Sequence, residues 1–360
     1  MKIAFYGSSL LSSYWNGAAT YYRGILKALA GHGYDITFYE PDAFDRQQHR
    51  DIEPPEWARS VVYPATEEGL RSVLAEAGGA DIVVKANGVG VFDRELLEGI
   101  VAQSRPEALR IFWDVDAAAT LDEMRSDPSH PVLKALPSLD MVLTYGGGPP
   151  VVDAYTAFGA QRCEPVYNAL DPDTHHPAPR DPRFEADLGL LANRLPDRES
   201  RIEEFFLRPA AALPDRQFLL GGNGWHDKGV TPNVRAIGHV GTGDHNAFNC
   251  TPRAVLNVAR DSMANVGFSP ATRVFEAAGA AACLITDAWE DRDVPATERG
   301  NPRRPRRQGR GRDPGRLSPE RAKAIGEAAL DRVLAEHTYA LRAEQVHGIF
   351  QQHQRTPEAA

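Results

Sequence analysis

Residues 2–42, KIAFYGSSLLSSYWNGAATYYRGILKALAGHGYDITFYEPD, hold one complete strand–helix–strand unit. KIAFYG (2–7) is a short apolar run of the kind that a strand buried on both faces shows. In NGAATYYRGILKALAGHG (16–33), Tyr22, Ile25, Leu26 and Leu29 recur at helical spacing and glycine stops the pattern. YDITFYEPD then returns to strand. Two strands joined through a helix of this length run parallel with a right-handed crossover. Such a sheet takes its ligands beyond the carboxyl ends of its strands.

The same cadence spreads outward from this unit. ADIVVKANGVG, LRIFWDVD and DMVLTYGGG are apolar strands whose C-terminal ends carry Gly, Asp or Asn. YNALDPDTHHPAPRDPR (167–183) breaks the rhythm with Pro172, Pro177, Pro179 and Pro182 and reads as a crossover between domains. The alternation then restarts in ADLGLLAN, the amphipathic RIEEFFLRPAAAL, QFLLGG, NVRAIGHV, AVLNVA and CLITD. The expected fold class is α/β, with two Rossmann-like domains facing a cleft. Their expected limits are 1–166 for the first and 184–335 for the second, with 336–360 as a final helix returning towards the first.

Composition fits that reading. At 360 residues the chain exceeds the usual size of a single core. A formal net charge of −9 disfavours a surface built to grip nucleic acid. Cys163, Cys250 and Cys283 are odd in number, scattered and without metal-ligand spacing, which suits free thiols in a reducing cytoplasm. No run is long and apolar enough to read as a membrane span or signal peptide.

SPATRVFEAAGAAACLITD (269–287) places one carboxylate among small residues. Ser269 as cap and Pro270 at the first helical position predict a helix start, with the helix running to about Ala282. The amino end of such a helix attracts a diphosphate. Arg273 adds a cation in the first turn, and Glu276, about one turn further in, is placed to accept from a pair of vicinal hydroxyls. The alanines and Gly279 let the helix lie close on its strand. A plain Ala-rich helix with a solvated Glu has the same pattern.

The runs NVRAIGHVGTGDHN (233–246) and TPRAVLNVARDSMANVGFSPATRVFEAAGAAACLITDAW (251–289) resemble the donor domain of CgeB-like (spore maturation protein type) glycosyltransferases, relatives of the group 1 family with the GT-B fold. KANGVGVFD, IFWDVDAAATLDEM and the 318–346 stretch are similar to that family as well. The resemblance implies transfer of a sugar from a UDP- or GDP-type donor, with no metal and no other cofactor, and Glu276 as the ribose ligand. Under it Arg273, Arg198, Arg260, Ser269 and Thr272 become candidates for the donor phosphates. Asn223 and Trp225 in GGNGW (221–225) become candidates for the base, and Asn16 and Gly17 for the transferred group. Asp114 and Asp116 in FWDVD are the catalytic candidates, as an acceptor-orienting pair or a base; an Asp-x-Asp pair also has a metal-binding reading. Two other functions stay open on the residues alone. One is a nucleotide-sugar epimerase on the same fold, and the other is a binding or structural protein without activity. Sugar, acceptor and oligomeric state have no readable code here.

The family pattern lapses at EDRDVPATERGNPRRPRRQGRGRDPGR (290–316) and resumes at LSPERA. Arg, Pro and Gly crowd this stretch, so no packed element is expected in it. A local frame slip in the gene accounts for such an abrupt loss and recovery; a basic loop for an anionic partner is the other reading.

Overall fold

The structure, a computed structural model, describes residues 1–14, 16–88, 90–260, 269–286 and 317–355. The expected disordered segment 290–316 lies outside the described residues. The chain forms two compact units, one of Met1–Asn168 with Tyr339–Ala360 and one of Ala169–Thr338.

The first unit is built on a seven-stranded sheet. Its strands are β1 (Lys2–Tyr6), β2 (Asp35–Asp42), β3 (Arg59–Pro64), β4 (Ile82–Ala86), β5 (Leu109–Asp114), β6 (Met141–Thr144) and β7 (Cys163–Pro165), in the order β3-β2-β1-β4-β5-β6-β7. Every pairing is parallel. Central strands such as β4 are buried along their whole length, which is why they read as unbroken apolar runs. β3 and β7, the two edges, carry no clear strand pattern in sequence, because an edge strand is covered on fewer sides. The helix Ala19–Gly31 buries Tyr21, Tyr22, Ile25, Leu26 and Leu29. The helix Tyr339–Arg355 packs on it: a Cβ on Gly24 would collide with the Tyr339 ring, and Tyr34 Oη lies 2.9 Å from His347 Nδ1.

The second unit repeats the plan with five parallel strands, β8 (Leu188–Leu191), β9 (Phe218–Gly221), β10 (Val234–Gly238), β11 (Ala254–Asn257) and β12 (Leu284–Thr286), ordered β10-β9-β8-β11-β12. In both sheets the first strand of the unit sits inside, and chain direction across the sheet reverses beside it, between β1 and β4 and between β8 and β11. Reversals of this kind open a crevice at the carboxyl ends.

The helix Thr272–Gly279 joins β11 to β12. It opens later and closes earlier than the sequence suggested. Its N-cap is Ala271, in extended backbone and without a side-chain cap, so neither Ser269 nor Pro270 plays the expected part. At the other end, Ala281 N–H donates to Ala278 O at 3.0 Å and Ala282 N–H to Ala277 O at 2.9 Å, with Ala281 left-handed at φ 55°. This is a Schellman closure built on alanine where glycine is usual. Gly326, in the helix Pro319–Glu336, sits against the Ala281 carbonyl so tightly that a Cβ has no room. The small residues thus serve packing: Ala277 and Ala282 bury against Val255, and Phe275 against Leu170 and Val333.

Candidate functional site

Glu276 lies at the centre of the second unit's candidate site. It lies in the last full turn of Thr272–Gly279, with its side chain 12% exposed, and Oε1 is 3.8 Å from His175 Nε2. A Cβ on Gly279 would press on the His175 carbonyl and Leu170, so a bare backbone there lets the helix approach the 170–175 segment. His245, which starts the helix His245–Cys250, completes the group: among the described residues His175, His245 and Glu276 offer one ligand atom each, all within 4.8 Å of one another. Arg273 is half-buried. Burial lowers its pKa, and the Glu276 carboxylate acts in the opposite direction. Burial also lowers the pKa of His245, with Glu276 again opposing, while the Arg273 charge pushes further down.

The other donor-side candidates fall into two groups. Arg260 Nε donates to Asp197 Oδ2 at 2.5 Å, which ties the end of the β11 loop to the first turn of the helix Pro196–Ile202. Arg198 lies in that same turn and donates from Nη2 to Asn193 O at 3.0 Å. The fold therefore gathers Arg198 and Arg260 beyond the carboxyl ends of β8 and β11. Ser269 and Thr272 are half-buried at the start of the Glu276 helix, and Asn223 is exposed after β9 with its backbone N–H held by Asn193 Oδ1 at 2.9 Å. Trp225 is different. It is 4% exposed, belongs to the apolar core of the unit, and donates Nε1–H to Ala192 O at 2.7 Å. A ring so enclosed has no face for a base, so Trp225 is a core residue.

In the first unit, Asp114 ends β5 and is 0% exposed. Oδ1 accepts from Asn87 Nδ2 at 2.5 Å, Asp116 N–H at 2.9 Å and Thr120 Oγ1 at 3.2 Å, and Oδ2 accepts from the Tyr155 hydroxyl. Burial raises its pKa from 3.8 to about 6, against these hydrogen bonds. Four donors saturate the carboxylate, so Asp114 holds the β5 loop rather than meeting an acceptor. Asp116, half-buried at the N-cap of the helix Ala117–Ser126, is the member of the pair nearer the surface. Asn16 is buried too: Nδ2 donates to Ser9 O and Ser12 O at 2.9 and 3.1 Å, and Oδ1 accepts from Ser8 Oγ at 3.0 Å. Its side chain ties down the loop after β1, while Gly17 is exposed with open space around it.

His175 and His245 were given no role by the sequence. His175 stood in a proline-rich stretch that reads as connection, and only its DTHHP setting hinted at more. Histidine pairs far apart in the chain have no spacing signal, and the fold alone brings them to Glu276.

Residues 198–294 match a family model described as glycosyl transferase-like. That span takes in Arg198, Arg260, Arg273 and Glu276 and ends inside the Arg- and Pro-rich stretch. No curated protein matches the sequence. Solved structures do. The sucrose-phosphate synthase of Thermosynechococcus elongatus superposes with a TM-score of 0.63 at 14% identity, covering 98% of both chains. Anabaena Alr3699/HepE, solved in complex with UDP and glucose, gives 0.62 at 12% identity over 98% of this chain and 100% of its own. An alpha-glucosyltransferase in complex with UDP-glucose and DNA containing an abasic site gives 0.67 at 10% identity over 98% and 99%. The chain has the α/β, parallel-sheet fold of these GT-B glycosyltransferases. Among the described residues no helix is long and apolar enough to cross a membrane.

Proposed function

We propose that the protein transfers a sugar from a nucleoside-diphosphate donor to an acceptor hydroxyl, the second unit holding the donor and the first unit the acceptor. The observation that carries this reading is Glu276: a nearly buried carboxylate on the helix that joins β11 to β12 of a dinucleotide-type sheet, within the span matched by the glycosyl transferase-like model. Solved neighbours that bind UDP or UDP-glucose support a uridine donor here.

In this reading the ribose diol donates two hydrogen bonds to the Glu276 carboxylate, and charge-assisted bonds of this kind are the strong ones. The diphosphate faces the backbone N–H groups at the start of the Thr272–Gly279 helix, with Arg273, Arg198 and Arg260 supplying positive charge. Fixed cations and a helix dipole then neutralise the leaving group, so transfer proceeds without a metal. Asp116 orients the acceptor, and Asp114, which accepts the Asp116 N–H, fixes the loop that carries it. The resemblance to CgeB-like enzymes adds retention of configuration to the proposal, with the donor phosphate taking the acceptor's proton.

Calorimetric titration of the full chain with UDP and with GDP tests it. Losing bonds to a charged group costs about 1.5–3 kcal/mol, so Glu276→Ala should weaken the preferred nucleotide roughly 10- to 150-fold. Equal affinity in wild type and variant would remove Glu276 from the site.

A further inference from the structure

His175 and His245 each make one ring-nitrogen contact directed away from the group they form with Glu276. Thr174 has one hydroxyl hydrogen, and it goes to Asp171 O at 3.1 Å. With that hydrogen on Asp171 O, the imidazole donates its Nδ1–H across the 3.0 Å contact to Thr174 Oγ1, and Nε2 keeps its lone pair. His175 is 4% exposed, and this Nε2 makes no hydrogen bond. It points instead towards the Glu276 carboxylate, 3.8 Å away.

His245 shows the same arrangement with the nitrogens exchanged. Its Nε2 lies 3.3 Å from Val240 O, a carbonyl that can only accept, so Nε2 carries the proton and Nδ1 the lone pair. One nitrogen from each imidazole and one carboxylate oxygen lie within 4.8 Å of one another. Each imidazole is oriented by a hydrogen bond from its opposite nitrogen, as metal-ligating histidines are. An Nε2 this deeply buried and unpartnered needs a donor or a cation, and the carboxylate 3.8 Å away favours the cation.

We propose that His175, His245 and Glu276 bind a divalent transition-metal ion, with zinc the best match to a set of two imidazoles and one carboxylate. Zinc–ligand distances of about 2.0–2.1 Å place tetrahedral ligands roughly 3.4 Å apart. The present group, spread over at most 4.8 Å, reaches that by small side-chain rotations. Half-exposed His245 leaves room for water as a fourth ligand. The ion takes up the carboxylate that the proposed function assigns to the donor ribose. Metal and nucleotide then exclude one another, and the metal acts as an inhibitor of a transfer that itself needs none. The metal site stands on its own geometry, and only this competition rests on the donor reading.

The test titrates the chelator-stripped full chain with Zn²⁺ by calorimetry and with Co²⁺ by visible absorption. Wild type should bind one equivalent, give the d–d bands of tetrahedral Co²⁺, and gain thermal stability on adding Zn²⁺. His175→Ala and His245→Ala should each weaken binding at least tenfold, while His239→Ala, at an exposed histidine outside the group, should change nothing. His175→Gln serves if the alanine variant does not fold. Absence of saturable one-to-one binding, or its survival in the double variant His175→Ala/His245→Ala, would overturn the site. Titrating UDP with and without saturating Zn²⁺ separates the two readings. Mutual exclusion supports both. Zinc bound with UDP affinity unchanged keeps the metal site and removes Glu276 from the ribose role; UDP lost in Glu276→Ala with no zinc binding does the reverse.

Discussion

Asp114 gives the sharpest quantitative prediction. Its pKa stands at about 6 in the folded chain against an ordinary 3.8, and burial is the cause. At about 1.36 kcal/mol per unit, the ionised form costs the fold about 3 kcal/mol relative to the protonated one. The sign follows from proton counts. Below pH 3.8 both states hold the proton and the group is neutral in its effect. Between 3.8 and about 6 the folded state keeps a proton that the unfolded state has released, so stability falls as pH rises; above about 6 the loss is complete. Asp114→Asn removes the titration while fitting the site. The amide oxygen takes the place of Oδ1 before three donors, and the amide nitrogen faces Tyr155, whose hydroxyl rotates to accept. Urea unfolding followed by tryptophan fluorescence, with Trp113, the preceding residue of β5, as reporter, should show the variant gaining on wild type from pH 4 to pH 7 and levelling off above. The difference between the two curves isolates this group from the surface carboxylates, whose stability trends run the other way. Parallel curves across that range would refute the raised pKa and the argument from burial.

Three further outcomes are expected. Gly326→Ala forces a methyl onto the Ala281 carbonyl and should destabilise the second unit by about 1–3 kcal/mol despite the better helix propensity, read as a lower unfolding midpoint. Ala281→Gly relieves a left-handed alanine and should raise stability by up to about 1 kcal/mol, with nucleotide affinity unchanged. Trp225→Phe leaves Ala192 O without its donor and should cost about 1 kcal/mol or more of stability, while UDP titration should match wild type if the indole belongs to the core.

What could be read beforehand follows from where burial leaves a mark in the chain. Strands covered on both faces need continuous apolar residues, so β1, β4, β5, β8, β9 and β11 announced themselves. RSVVYP at one sheet edge and CEP at the other are under no such demand. Glu276 stood out in the sequence because an isolated acid among packed alanines is unusual, but the helix limits were not legible: its closure depends on Ala281 turning left-handed against Gly326, a contact made by a helix that follows much later in sequence. Trp225 and Asp114 show the converse error. An aromatic after a glycine turn and an acid at a strand end look like site residues, and only Ala192 O and the ring of donors around the carboxylate reveal that both are internal supports.

The division of the chain has a consequence for biosynthesis. Because Tyr339–Ala360 belong with Met1–Asn168, everything from Ala169 to Thr338 is spliced into the middle of the other unit. Leu170 N–H donates to His337 O at 2.8 Å, so the insert closes on itself where it enters and leaves. A ribosome therefore releases a finished inner cassette while the outer one still waits for its last helix. Expressed alone, 169–338 is the fragment that should survive.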